Sequence, residues 1–191
     1  MMKICLGLAG LTGLTAVAAA DQVVLSGEHQ VLEMSAMKPK SKQQIASFSK
    51  VCPDDELSVV IDYATSDNEP TSALSFKIQF EHKFLNVVDA PSSTMALDDC
   101  PIAFVSEAIK LDAHLSYVTM VCADMGSKKV VPAKQPGVLA INFKVKPNTG
   151  GGMVNIVMLA NPKLSGVGYK YKEVRPKKTL KVLASCDRDE L

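Results

Sequence analysis

Tryptophan is absent from these 191 residues, tyrosine occurs four times and histidine three times. Recognition of sugars by stacking needs flat aromatic faces, so the sequence offers few places for it. Tyr169 and Tyr171 are the best of them: two apart, they share one face of a strand and leave Lys170 and Lys172 on the other. Tyrosine equally suits a half-buried strand, so plain cross-strand packing competes with ligand binding there. Also missing are a G-x-S-x-G nucleophile turn and a Gly-rich phosphate loop. The stretch NTGGGM (148–153) comes nearest to the latter. It lacks the lysine and the following helix, and reads as a hairpin turn whose glycines are free to take positive φ. His29, His82 and His114 are scattered and no Cys-x-x-Cys pair exists, so no zinc framework or catalytic constellation stands out. We expect a protein that is not an enzyme.

An excess of charge of one sign is missing too. Lys3 is the one charged residue of positions 1–20, so the 21 Lys and Arg of the chain leave 20 beyond it, against 20 Asp and Glu. Residues 21–191 therefore carry a formal charge of zero, which gives no reason to expect nucleic acid as a partner. The carboxylates cluster locally, at Asp54-Asp55-Glu56, Asp67-Asn68-Glu69 and Asp98-Asp99. None follows the EF-hand spacing, and solvated turns explain each one. Calcium enters only if two clusters meet in space; otherwise no cofactor is expected. A basic run from Lys170 to Lys181, with Arg175, Lys177 and Lys178, suits a positive sheet edge that discourages aggregation, or a patch for an acidic partner.

Long apolar runs are confined to the first 20 residues, MMKICLGLAGLTGLTAVAAA. A positive start, an apolar stretch and a small-residue end at Ala18-Ala19-Ala20 form the layout of a cleaved signal peptide. The stretch is short for a membrane span and is broken by Gly and Thr. Cys5 comes too early for lipid attachment. No later segment is long and apolar enough to cross a bilayer, so we expect export to a periplasm, a cell surface or the medium. The last four residues, RDEL, resemble endoplasmic-reticulum retrieval signals and give that lumen as the alternative.

Cys52, Cys100, Cys122 and Cys186 remain after cleavage, an even number that suits two disulfides in an oxidising compartment. Of the three pairings we favour Cys100 with Cys122 and Cys52 with Cys186, the second clasping the start of the core to its end.

What is present is period-two hydrophobicity. In LSFKIQF, Leu74, Phe76, Ile78 and Phe80 alternate with Ser75, Lys77 and Gln79; EHK then turns a corner before Leu85 and Val87. ELSVVIDYAT, HLSYVTMVCAD, GVLAINFKVKP, MVNIVMLANP, GVGYKYKEV and TLKVLAS read as further strands, with Pro and Gly between them. The segment 102–113, IAFVSEAIKLDA, fits either a strand with a loop or a short helix built on Phe104, Ala108 and Leu111. Residues 21–50 look less regular, with DQVVLSGE as an optional first strand and MKPKSKQQ as a loop. The expectation is an all-β, two-sheet β-sandwich. Its organisation would be 1–20 signal peptide, 21–50 lead-in, 51–187 sandwich and 188–191 exposed tail.

The order DDELSVVIDYATSDNEPTSALSFKIQFEHKFLNVVD (54–89) resembles the opening of a cohesin domain, and GVLAINFKVKPNTGGGMVNI (137–156) is similar to a later segment of that family. The resemblance spans about residues 51–160. Glu81 departs from it, standing where the family usually has Asp. It implies a sandwich of about nine strands with jelly-roll topology. It also implies a non-enzymatic module that docks a protein partner, dockerin-like, on one sheet face. Related sandwiches include carbohydrate-binding modules, so a polysaccharide ligand or a structural extracellular-matrix role stands as the alternative.

Overall fold

The computed structural model describes residues 23–26, 29–126, 128–160 and 176–186. Period-two burial decides its elements. In β4 (Glu56–Thr65) the side chains of Leu57, Val59, Ile61 and Tyr63 are buried, while their neighbours are half-exposed. In β5 (Ala73–Glu81) Leu74, Phe76, Ile78 and Phe80 are buried as well; Lys77, Gln79 and Glu81 are half-exposed, whereas Ala73 and Ser75 are covered. Around them lie β1 (Val23–Ser26), β2 (Gln30–Met37), β3 (Lys50–Val51), β6 (Leu85–Val87), β7 (Ile102–Val105), β8 (Ile109–Lys110), β9 (Leu115–Ala123), β10 (Lys134–Val145), β11 (Gly152–Ala160) and β12 (Lys177–Val182). Apart from one 3-10 turn at Leu97–Asp99, no helix occurs among the described residues.

Two sheets face each other. One has the order β1-β2-β4-β10-β6; the other runs β3-β12-β11-β5-β9-β7, with β8 also pairing with β9 beside β7. Neighbours in a sheet are seldom neighbours in sequence, the winding expected of a jelly roll. The inner faces of both sheets contribute to a single apolar core, in which Leu32, Ile61, Phe76, Phe80, Phe143 and Ile156 are all essentially inaccessible. Among the described residues there are twelve strands rather than about nine, because the edges are made of fragments: β3 and β8 have two residues each and β6 three.

Two segments differ from the sequence expectation. Residues 30–37, within the expected irregular lead-in, form a full strand paired antiparallel with β4 from Gln30↔Thr65 to Met37↔Ser58. Its inward positions include Gln30 and Ala36, and its outward ones include Val31 and Met37, so the alternation is blurred in the sequence. Gln30 is nevertheless satisfied: its amide donates to the Ala73 carbonyl at 2.9 Å. The ambiguous stretch 102–113 resolves as strand, bulge, strand. The Ser106 N–H donates to the Thr119 carbonyl at 2.9 Å, and the Thr119 N–H to Ser106 Oγ at 2.8 Å. That interruption separates β7 from β8. The strand expected over 166–174 lies outside the described residues.

Turns use residues suited to them. The loop between β10 and β11 carries Asn148 (φ 59°) and Gly151 (φ 71°), where an added Cβ would lie 2.9 Å from the Ala184 nitrogen. Gly137 (φ 62°) sits at the register shift between Gln135 and Leu139 in β10. The disulfides follow the favoured pairing. Cys52–Cys186 and Cys100–Cys122 have Cα atoms 5.8 and 5.4 Å apart, within the usual range.

Two stability predictions follow from this packing. By loop-closure entropy, replacing Cys52 and Cys186 together with serine should cost about 5 kcal/mol, and replacing Cys100 and Cys122 about 3 kcal/mol. Urea unfolding of the two double variants should rank them in that order; a reversed ranking would contradict the argument. Ser75 is fully buried and its hydroxyl has no hydrogen-bond partner. Ser75→Ala should therefore raise stability by about 1 kcal/mol in the same assay, since an unsatisfied buried hydroxyl carries its desolvation cost uncompensated.

Candidate functional site

Strand register identifies which side chains of the seven-stranded sheet point away from the core, although Ser75, Thr119, Val121 and Ala123 among them are buried. Directly opposed residues point to the same side, so each ladder extends a row across the face. Ile102 opposes Ala123, and Phe104 opposes Val121, which opposes Ser75. Ile109 opposes Tyr117, which opposes Gln79; Gln79 opposes Val157, and Val157 opposes Lys177. Thr119 opposes Lys77, which opposes Leu159. Met153 opposes Lys181, which lies beside Lys50. The core-facing residues Leu74, Phe76, Ile78 and Phe80 alternate with this set, so packing of the interior dictates which side chains remain outside.

The free end of this face, at β7 and β8, is apolar and open. Ile102 is 44% exposed, Phe104 48%, Ile109 44% and Leu111 56%. Val121 and Ala123 form a buried apolar floor beside them. Cys100–Cys122 fastens the start of β7 to β9. The Ser106–Ala108 bulge breaks the outer edge, so no long run of regular backbone is offered for strand addition; the side chains are the contact surface. The opposite half of the face is polar. Lys50, Lys177 and Lys181 are exposed there, and Lys77 lies over the Tyr117 ring at 4.7 Å.

The other sequence candidates fall elsewhere. Tyr169 and Tyr171 lie outside the described residues, as do Lys170, Lys172 and Arg175 of the basic run. The remainder of that run is not an outer edge: β12 lies between β3 and β11, and Lys178 is buried on the same side as Leu180 and Val182. Members of two acidic clusters are engaged locally. Asp55 accepts the Cys52 N–H at 2.8 Å and Asp54 pairs with Lys144 at 2.9 Å. Asp67 lies 3.4 Å from His29, and Glu69 pairs with Lys129 at 3.1 Å. Among the described residues no three His, Cys, Asp or Glu converge as metal ligands would. Asp67 is held below the usual carboxylate range, chiefly by the N–H of Glu69.

Chemistry finds little purchase. A cleft of about 550 Å³ beside Cys52–Cys186 is lined by Pro53, Asp54, Asp55, Pro147 and Asn148, with both aspartates already engaged as above. Sequence reading missed one polar pair, Ser116 Oγ and His82 Nδ1 at 3.1 Å, because its members are 34 residues apart. Ser116 opposes the core residue Phe80 and is 3% exposed, which denies it the access a nucleophile needs.

Against known proteins, no family model and no curated protein matches the chain. Solved structures do. The third ScaC cohesin of Acetivibrio cellulolyticus, in complex with the ScaB dockerin, shares 18% identity over 72% of this chain and 96% of its own, at a TM-score of 0.48. The seventh ScaB type I cohesin of Pseudobacteroides cellulosolvens shares 15% over 76% and 94%, at 0.46. The cohesin module of a Clostridium perfringens family 33 glycoside hydrolase shares 11% over 84% and 98%, at 0.44. All three are cohesin modules. The likeness is one of fold, a cohesin-like β-sandwich, and the sandwich itself rests on the strand order and registers given above.

The turn that presents Leu111 is held by a carboxylate. Asp112 accepts the N–H groups of His114 at 2.7 Å and Leu115 at 2.8 Å, and these two bonds hold its carboxyl below the usual value of 3.8. A depressed carboxylate contributes stability above its unfolded pKa and loses it as pH falls through the folded one. Amide exchange at His114 and Leu115 should therefore accelerate selectively below about pH 4, where a carboxylate titrates. Asp112→Ala should show the same acceleration at neutral pH; an unchanged exchange pattern would remove the carboxylate from this role.

Proposed function

We propose that this chain is a non-enzymatic docking module that binds another protein on the outer face of its seven-stranded sheet. The observation that carries the reading is the exposed apolar group Ile102, Phe104 and Ile109 at one end of that face, on a sheet whose inner side already fills the core. Exposed clustered apolar side chains of this size mark interaction surfaces. A dockerin-like partner follows from the resemblance carried by residues 54–89 and 137–156, and belongs to the proposal. Export through residues 1–20 belongs to it as well, and the two disulfides favour an oxidising compartment.

The polysaccharide reading gains nothing from the described residues. Tyr63 is in the core, and Tyr117 is covered by Lys77. No other tyrosine is described, and stacking on sugar needs an open ring.

The test is a panel of dockerin modules and a glycan array, each challenged with the wild-type chain and with Phe104→Asp. Retention of a dockerin by the wild type, weakened at least about 30-fold by Phe104→Asp with an unchanged circular-dichroism spectrum, is the expected result for an interface anchor. Glycan binding with no dockerin retained would overturn the proposal.

A further inference from the structure

The apolar end is half of the proposed docking face; the other half is cationic, without local compensation among the described residues. Lys50 and Lys181 are directly paired across β3 and β12, both exposed, on the same side of the sheet. Like charges placed side by side cost stability. Lys177 is exposed four residues from Lys181 on the same strand, and Lys77 stands on β5 between this group and the apolar end. Among the described residues none of the four lysines has an ion pair. The carboxylate that belongs to the same face, Glu81, accepts the Asn155 N–H at 3.2 Å and is thereby held to the backbone. Two apolar side chains accompany the lysines: Met153, opposite Lys181 and 44% exposed, and Phe48, 69% exposed. Phe48 holds a left-handed φ of 63° while its N–H donates to the Thr179 carbonyl at 2.6 Å. A bulky residue in that region is uncommon and costs stability.

At the far rim, beyond β8, Glu107 and Asp112 are exposed, and Asp112 is committed to its turn. The face is therefore segregated into an apolar end and a cationic end. Lysines on an edge also guard against sheet-to-sheet aggregation, but that duty is served by either sign of charge, whereas docking is not.

Resting on the docking function proposed above, we infer that the partner is an acidic protein: it places carboxylates over Lys50, Lys177 and Lys181 while an apolar ridge covers Phe104 and Ile109. Charge complementarity is the argument. A second copy presenting the same face would set lysines against lysines, which disfavours face-to-face self-association.

The experiment uses the purified full chain and two helical peptides with one leucine stripe, flanked by glutamates in one and by lysines in the other. We expect the glutamate peptide to bind at least tenfold more tightly than the lysine peptide and to weaken as salt rises. Lys50→Glu with Lys181→Glu should reverse that preference and keep the chain monomeric, while Phe104→Asp should weaken both peptides. Equal affinity for the two peptides with Phe104→Asp still damaging overturns the acidic partner and leaves the docking face standing. No binding of the glutamate peptide overturns it as well, and dockerin retention in the preceding experiment then reports on the docking function separately. Binding of phosphatidylserine vesicles or heparin as tight as that of the glutamate peptide, and indifferent to Phe104→Asp, would replace the protein partner with a polyanionic surface. A chain that self-associates through this face would replace it with a second copy.

Discussion

Phe80 of β5 and Phe143 of β10 meet edge to face, with ring centroids 4.8 Å apart and planes at 68°. The two strands belong to different sheets, so this contact is where the layers are locked together. Phe143 also opposes Leu57 on one side and Val87 on the other, fixing three strands at one level. A slip of β5 by one residue would drive Lys77 and Gln79 into the interior and send Phe76 and Phe80 to the surface. The interior thus selects the register, and the register selects the exterior. Lys77, Gln79 and the rows that run from them to β7 and β12 are outside because Phe80 is inside.

That dependence explains why one surface can carry two chemistries. The strands contribute alternate residues, so the outer face is free to vary without disturbing the core. Apolar residues gather on β7 and β8, where the sheet ends and the edge is broken by the Ser106–Ala108 bulge. Lysines gather on β3 and β12. In association, buried apolar contacts supply most of the affinity and charge supplies rate and orientation. Segregating the two along one face would define which way round the proposed partner lies.

The architecture was largely legible in the sequence because β4, β5 and β10 alternate over long stretches, which is what a half-buried strand requires, and β9 is rich in β-branched and aromatic residues. β2 was not, since Gln30 and Ala36 take inward places while Val31 and Met37 face out; pairing with β4 overrides the weak local pattern. The segment 102–113 gave apolar residues at both helical and strand spacings, and the choice is made by long-range bonds from Ser106 to Thr119 and by Cys100–Cys122. The cationic half of the outer face was hidden for a different reason. Lys50 and Lys181 become neighbours through a parallel pairing between residues 131 apart in sequence, which leaves no local trace.

Cys52–Cys186 has a mechanical consequence. A pull between the two ends of the chain is conducted from residue 52 to residue 186 through covalent sulfur, bypassing 134 positions of backbone. The bulged edge, the locked phenylalanines and all of the proposed docking face except Lys50 lie within that shunt and bear none of the load. Among the described residues β1, β2 and the two-residue β3 precede it, so tension would peel β1 and β2 from the sheet at β4 while the strands between the two cysteines stayed in place.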